Sequence, residues 1–365
     1  MSEEKKLNAT EQSRRNYLKE TKPYVYAKVQ RFSEKIQRGE SIAVIQMQYN
    51  YACNFSCVHC AIKPLQNPVA RSMTPDDVAE LARQADEIGL ARFVITGGEP
   101  LVFKDLDEVV KAIGPERFYI NMDTNGWHLD HAKARHLKSI GVDRIQLSLD
   151  SLDAEEHDAF RRAKGSHERA MRAVDAALDA DLQIFVQTVV TRQRLYSEEF
   201  IQFIEHFNAR GIGVFVTYAK PVGAWAGSGD DMLVTREDMR YFENILEKKY
   251  KVFTHLTPAY GLHMGCIAVK GMFSVTQTGD VLPCPYVQIS LGNIFKEPLK
   301  DIVERGLQIK HFGEYRDTCL IAEDRDFIFK VDRHTAQGEL PVPCSRVYDA
   351  SDRTVVPFHL TMPQE

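Results

Sequence analysis

A partial parallel α/β barrel of six strand–helix units, followed by a small cysteine-bearing unit, is what the chain's hydrophobic pattern predicts. Three observations carry this. Strand-like apolar segments at 42–49, 92–96, 117–122, 143–149, 182–190 and 212–219 alternate with amphipathic helical segments near 75–89, 104–113, 128–140, 154–180, 197–210 and 235–249. Such alternation implies parallel strands joined by right-handed crossovers. The alternation occurs six times, short of a closed eight-unit barrel, and beyond about residue 255 it gives way to two strand-like runs, 269–276 and 281–287. These flank the turn Gln277-Thr278-Gly279-Asp280 and read as a hairpin.

Taken in order, residues 1–40 are polar and form an N-terminal extension in which 28–39 has the pattern of a short amphipathic helix. The first strand follows. Thr74 is placed to cap the next helix, with Pro75 at its first position, Asp77 at its third and Gly89 as its stop. Asp153 and Glu156 have the same cap-and-partner spacing before the helix containing Phe160. The glycine-rich 223–231 stretch marks a boundary, and a looser polar tail follows the hairpin. The expected division is extension 1–40, barrel 41–250, cysteine-bearing unit 251–350 and tail 351–365. In such a barrel the active face lies at the C-terminal ends of the strands, where the loops gather.

Composition excludes several classes. With 365 residues, 44% hydrophobic and 27% charged, the chain is an ordinary globular sequence, and its net charge of -5 gives no general attraction to nucleic acid. No stretch of eighteen apolar residues and no signal-like N-terminal core occurs, so a cytoplasmic protein without membrane spans is expected. The seven cysteines, an odd number, argue against a disulfide framework. Three lie close together and four are spread through the last hundred residues.

The close trio is Cys53-x3-Cys57-x2-Cys60, directly after the first strand. A short loop can turn three sulfurs to one site, where a cluster iron or a zinc ion would need a fourth ligand; His59 is within reach on spacing alone. Thr96-Gly97-Gly98-Glu99-Pro100 closes the second strand. Its glycines let backbone approach a ligand, and Glu99 can accept a charge-assisted bond from an ammonium. Asp123-Thr124-Asn125-Gly126 and Ser148-Leu149-Asp150 end the third and fourth strands and put short polar groups on the rim. Thr188 and Thr191 at the fifth strand, with Tyr218, Lys220 and Pro221 at the sixth, are candidates for the substrate side, Tyr218 or Lys220 handling a proton. The second constellation is Cys266-x12-Gly279-x4-Cys284, with Cys319 and Cys344 downstream.

Together, the cysteine loop and the Gly-Gly-Glu-Pro stretch closely resemble the radical S-adenosylmethionine (SAM) superfamily over residues 42–250. The resemblance implies a partial TIM-like (β/α)6 barrel and a [4Fe-4S] cluster on Cys53, Cys57 and Cys60 whose open iron binds SAM. Reductive cleavage of SAM then gives a 5'-deoxyadenosyl radical that abstracts a substrate hydrogen. It further implies adenine-side contacts near His59, methionine contacts at Gly97, Gly98 and Glu99, and rim contacts from Asn125, Ser148 and Arg161 or Arg162. The distal cysteines resemble a shortened SPASM/Twitch-like auxiliary domain, in which Cys266, Cys284, Cys319 and Cys344 would hold a second [4Fe-4S] cluster with no open iron. The dense cysteine block of the full domain is absent from the sequence.

That family implies an external one-electron reductant such as flavodoxin or ferredoxin and, as the expected reaction, oxidation or crosslinking of a ribosomally made peptide. The alternatives are a small-molecule dehydrogenase, epimerase or decarboxylase, and a non-enzymatic iron-sulfur or zinc-stabilised binding protein.

Overall fold

The computed structural model describes residues 9–37, 44–66, 71–227, 230–257, 265–336 and 338–354. Positions 38–39 of the expected first helix, 42–43 of the first strand and most of the expected tail, 355–365, lie outside the described residues. Two helices come first, α1 (Ala9–Thr21) and α2 (Pro23–Gln37). The barrel then runs β1 (Val44–Asn50), α3 (Pro75–Glu87), β2 (Arg92–Gly97), α4 (Leu106–Ile113), β3 (Tyr119–Thr124), α5 (His131–Ser139) and β4 (Arg144–Ser148). It continues α6 (Ala154–Arg161), α7 (Ser166–Asp179), β5 (Gln183–Val190), α8 (Arg192–Leu195), α9 (Glu198–Ala209) and β6 (Gly213–Tyr218). All six strands pair in parallel in chain order, as the alternation predicts.

Strand parity sorts the side chains. Ile45, Met47, Phe93, Ile95, Ile120, Met122, Ile145, Leu147, Val186, Val214 and Val216 are almost completely buried and form the core shared with the helices. The alternate positions face the lumen and are largely polar: Gln46, Asn121, Asp123, Arg144, Gln146, Gln187 and Thr217 line internal cavities. A barrel whose interior is hydrophilic has room for a polar guest instead of a packed apolar centre.

Local rules explain most boundaries. Thr74 and Asp77 form the reciprocal cap expected of them. Asp153 also caps, accepting from Glu156 N, but Glu156 turns to Ser151 Oγ instead of reaching back. The single helix expected over 154–180 is two, because Arg162 and Gly165 take left-handed φ of 50° and 82° between them.

The distal part is joined to the barrel sheet. Helix α10 (Arg236–Tyr241) passes through a π-helical stretch, Phe242–Leu246, into α11 (Glu247–Lys249), and β7 (Val252–Phe253) then pairs beside β6. β8 (Met272–Val275) and β9 (Asp280–Leu282) form the predicted antiparallel hairpin, yet β8 also lies parallel to β1 from Val44↔Met272 to Met47↔Val275. Gln48 Nε2 donates to Ser274 Oγ, which donates to the Gln46 carbonyl, both at 3.0 Å. The hairpin therefore extends the barrel sheet on its open side.

After it come β10 (Ile289–Ser290), β11 (Gly292–Asn293), α12 (Leu299–Leu307), α13 (Lys310–Gly313), α14 (Arg325–Thr335) and β12 (Val342–Pro343). The three helices occupy what the sequence presents as a loose tail. Among the described residues no helix is long and apolar enough to cross a membrane.

Candidate active site

The loop after β1 is held by backbone from three directions. Gly98 N donates to the Asn50 carbonyl and Glu99 N to the Ala52 carbonyl, at 2.8 and 2.9 Å, tying the end of β2 to the start of the loop. A Cβ on Gly98 would stand 1.9 Å from the Ala52 oxygen, and Gly97 has a φ of 124°, so glycine is required at both positions. Further along, Val58 N donates to the Phe160 carbonyl at the end of α6, and Ala224 N to the Cys60 carbonyl after β6.

This seating places Cys53, Cys57 and Cys60 on one cavity at the C-terminal ends of the strands, with Gly97, Gly98, Glu99, Asn125, Ser148 and Arg161 on its other walls. The predicted cofactor residues are thus brought together. Burial pushes the Cys53 thiol up to about 11 and raises Cys60 as well, a direction that metal ligation reverses by stabilising thiolate. His59 does not act as a fourth corner here. Its ring stacks on Phe160 at 4.5 Å and 12° and leans on Trp225, and burial holds it neutral with a pKa near 3. Among the described residues no three His, Cys, Asp or Glu side chains are grouped for a single metal ion. The sulfurs surround a space, which suits a cluster.

Glu99 is buried, and its carboxylate accepts from Thr124 Oγ1, Asn125 N and Leu101 N at 2.5, 2.7 and 3.1 Å. Burial nevertheless raises it to about 7, so an ammonium placed against it would be strongly favoured. Asn125 is committed elsewhere: its amide donates to Asn54 Oδ1 at 2.8 Å and accepts from Trp127 N at 2.9 Å, bracing the cysteine loop.

Arg161 is no solvated helix charge. It is buried, with Nε 2.7 Å from Asp150 Oδ2 and Nη1 4.0 Å from Cys57 Sγ. Burial alone would raise Asp150, but the Arg161 guanidinium outweighs it and holds the carboxyl down at about 2. Arg162, the other candidate, is the left-handed cap of α6.

On the substrate side the threonines are corrected. Thr188 Oγ1 accepts from Arg194 Nη1, and Thr191 caps α8, so both serve the scaffold. Tyr218 shares strand parity with the core residues Val214 and Val216, and its ring packs edge-on against Phe242. Its hydroxyl has no hydrogen-bond partner among the described residues and is raised by burial and by Glu247, Glu323 and Glu243, while the residue itself lies on the wall of the SAM-side cavity.

Lys220 is buried, donates to the Tyr218 carbonyl at 2.8 Å, lies 4.2 Å from the Tyr286 ring centre and lines the lumen. Burial lowers its pKa, against the pull of Cys319, Cys284 and Cys266.

The cavity does not end at the rim. Gln46, Asp123, Gln187, Thr217, Lys220 and Tyr286 line both the SAM-side space and a second space reaching Cys266, Cys284 and Cys319. Asp123, part of the rim motif read from the sequence, lies in the lumen: burial raises it to about 7, and among the described residues its Oδ1 has no partner. Gln46, Gln187, Thr217 and Tyr286 are not named from the sequence; alternation of polar residues on otherwise apolar strands is the signal for the first three.

The distal thiols do not meet as four. Cys266 N donates to the Arg316 carbonyl at 2.7 Å, and Val269 N to the Pro283 carbonyl at 3.1 Å, which gathers Cys266, Cys284 and Cys319 on one wall. Cys344 is buried beyond β12, with Sγ 4.0 Å from the Leu291 carbonyl and Arg305 and Arg353 as its charged neighbours. The four-cysteine set expected from the sequence is therefore corrected to three plus one.

Comparison with known proteins agrees with this geometry. The Radical SAM superfamily model matches residues 47–207, and the SPASM iron-sulfur cluster-binding domain model matches 266–323, a span that contains Cys266, Cys284 and Cys319. The chain is 25% identical to an AdoMet-dependent heme synthase of Nitratidesulfovibrio vulgaris, over 75% of this chain and 81% of that one. It is 26% identical to the PqqA peptide cyclase of Rhizobium meliloti, over 70% and 72%. Among solved structures, Streptococcus suis SuiB bound to precursor peptide SuiA shares the fold, with a TM-score of 0.59 and 19% identity over 83% of this chain and 72% of that one. With both models matched in order along the chain and their cysteines gathered at one continuous cavity, the protein is a radical SAM superfamily enzyme with a SPASM-type auxiliary iron-sulfur domain.

Proposed function

We propose that the enzyme cleaves SAM reductively and abstracts hydrogen from a ribosomally made peptide, leading to net oxidation or crosslinking. The observation that carries the reading is the shared lumen, which puts substrate-facing residues between the two cysteine groups. The likeness to a peptide cyclase supports a peptide as the substrate. Cys53, Cys57 and Cys60 hold one [4Fe-4S] cluster and the distal cysteines a second, and an external one-electron carrier supplies the reductant. When bound, the first cluster and SAM supply the 5'-deoxyadenosyl radical.

The chain's own residues do the rest. Glu99 would hold the methionine ammonium, which favours the ionised carboxylate that burial alone disfavours. Arg161, oriented by Asp150, presents its guanidinium on the cluster side of the cavity, and Ser148 lines the same wall. The walls around the lumen shield a reactive substrate from bulk water. Lys220, whose ammonium burial destabilises, would accept the proton released when a substrate radical gives up its electron, for which the second cluster would be the acceptor.

A second reading is favoured by a specific observation: three AdoMet-dependent heme synthases match over 81%, 88% and 89% of their length at 23–25% identity. Under that reading the guest is a small polycarboxylate that loses carbon dioxide, and the cations Arg144 and Lys220 in the lumen hold its carboxylates.

Reconstituted enzyme incubated with SAM, reductant and a candidate precursor peptide from a neighbouring gene separates the two. Peptide lighter by two hydrogens supports peptide oxidation; carbon dioxide from a porphyrin carboxylate with the peptide untouched supports the second reading. Absence of 5'-deoxyadenosine in fully reconstituted protein refutes both.

A further inference from the structure

Beside the loop that carries Cys53, Cys57 and Cys60 lies a groove that shares no lining residue with the SAM-side cavity or the lumen. It follows β3, and Trp127, His128, His131, Arg169 and Arg172 stand on its walls. Phe55 belongs to the SAM-side cavity and Trp127 to the groove, and their rings meet edge-on with centres 5.6 Å apart. Phe55 N in turn donates to Cys53 Sγ at 3.4 Å. Asn125 fixes this junction, bonded to Asn54 on one side and to Trp127 N on the other. One ring contact and one hydrogen bond thus connect the groove to a cysteine sulfur of the first site.

The groove is basic on a chain whose net charge is -5. Between 161 and 172 the sequence has five Arg or Lys residues and a single acidic one, Glu168. Arg161 is buried, whereas Arg162, Lys164, Arg169 and Arg172 are exposed. The bond from Val58 N to the Phe160 carbonyl seats the turn bearing Arg162 and Lys164 against the cysteine loop. The Arg169 guanidinium lies 4.7 Å from the Trp127 ring centre. Nearby acids are largely engaged within the protein: Asp158 accepts from Ser166 Oγ and His167 N, Asp130 from Lys133 N, and Asp175 from Arg210 Nη2. Glu168 and Asp179 stay at the surface, 3.6 Å from Arg172 and 3.2 Å from His131.

Such a surface favours an acidic partner, and the contact with Cys53 indicates what that partner brings. A substrate bound in the groove would be walled off from the lumen; an electron needs only the packed path. We propose that this groove is the docking surface of a small acidic one-electron carrier protein, with Trp127 and Phe55 forming the path from its redox group to the cluster on Cys53, Cys57 and Cys60. One electron leaves the reduced carrier and enters the cluster, and no bond is made or broken. This rests on the reading of the trio as a reducible cluster.

Flavodoxin serves as the probe, with reconstituted full-length protein. Calorimetry should show binding of oxidised flavodoxin that weakens steeply as ionic strength rises. Arg169→Glu/Arg172→Glu should weaken it by about tenfold or more, while Arg169→Lys/Arg172→Lys, which keeps the charge, binds as the wild type does. A salt-independent affinity, equal affinity in the wild type and the charge-reversed variant, or no binding to either overturns the docking surface. Loss of precursor-peptide binding in place of flavodoxin binding overturns it too, since the groove would then serve substrate.

Turnover separates this inference from the reading beneath it. With dithionite as reductant, the charge-reversed variant should form 5'-deoxyadenosine at the wild-type rate; with limiting reduced flavodoxin it should be about tenfold slower. Phe55→Leu should leave flavodoxin affinity unchanged and lower the ratio of flavodoxin-driven to dithionite-driven rate at saturating carrier; an unchanged ratio overturns the path through Phe55. No 5'-deoxyadenosine from the wild type with dithionite refutes the radical SAM reading itself.

Discussion

Gly98 and Asp150 show how single residues set the site. A methyl group on Gly98 would strike the backbone that leads into Cys53, so Gly98→Ala must shift either β2 or the cluster loop. SAM affinity should fall about tenfold or more, since even ~1.4 kcal/mol of misplacement has that effect; titration calorimetry on the reconstituted protein measures it, and unchanged affinity would show that the loop tolerates the shift. Asp150 acts through Arg161. Because its carboxyl is depressed to about 2 in the fold, the ionised form stabilises the native state above the unfolded value near 4, and that stability is lost as pH falls from about 4 through 2. The contribution is about 2 kcal/mol. Asp150→Asn leaves the buried Arg161 without its counter-charge and should cost about 3 kcal/mol at neutral pH while flattening the acid limb of apo-protein stability. Urea titrations at several pH values would show an undiminished acid limb in the variant if another group were responsible.

At the level of elements, the cysteine loop is a shared product of β2, α6 and the turn after β6. Gly223 makes the last of these contacts possible: with φ 64°, a Cβ there would lie 2.3 Å from the Cys60 carbonyl oxygen. Gly223→Val should therefore release the first cluster selectively, leaving about four of eight irons with the auxiliary cluster's spectrum intact; loss of all iron would mean that the turn supports the whole molecule. The barrel strands and the trio Cys53, Cys57 and Cys60 were legible because apolar runs, caps and close cysteine spacing are local signals. Helices α12, α13 and α14 were not, since polar, amphipathic segments in a cysteine-bearing tail look like loop until a sheet exists for them to cover. Lys220 and Tyr218 looked equivalent for another reason. Both line the SAM-side cavity, but only Lys220 also lines the second space, and it lies just past β6, where strand parity no longer decides. The isolation of Cys344 depends on β10–β12 pairing between segments about fifty residues apart, which spacing alone does not reveal.

For the whole molecule, the lumen has one end that serves chemistry and one that must be shut. Helices α1 and α2, of which the sequence pattern gives only an amphipathic segment at 28–39, lie at the N-terminal ends of the strands. Arg15, Leu18 and Val29 line the cavity there alongside Val44, Arg92 and Tyr119. Leu18 and Val25 form a small apolar cluster with Tyr119. Lys22 Nζ binds Asp143 Oδ2 at 2.5 Å, Lys28 Nζ binds Asp86 Oδ1 at 2.8 Å, and Lys28 also sits 4.0 Å from the Phe118 ring centre. These contacts seat the helices across that end of the barrel as a floor of the lumen. Replacing fully buried Val25 with aspartate puts an unpaired carboxylate into that floor and should cost about 3 kcal/mol or more. The informative readout is local. Hydrogen exchange at the amides of Val44, Arg92, Tyr119 and Arg144 should accelerate by about tenfold or more, as local opening at one end of the barrel predicts, while Thr124, Ser148 and Val189 near the rim remain protected. Equal acceleration at both ends would show that the helices stabilise the fold globally, and exchange unchanged at the lower end would show that they do not close it.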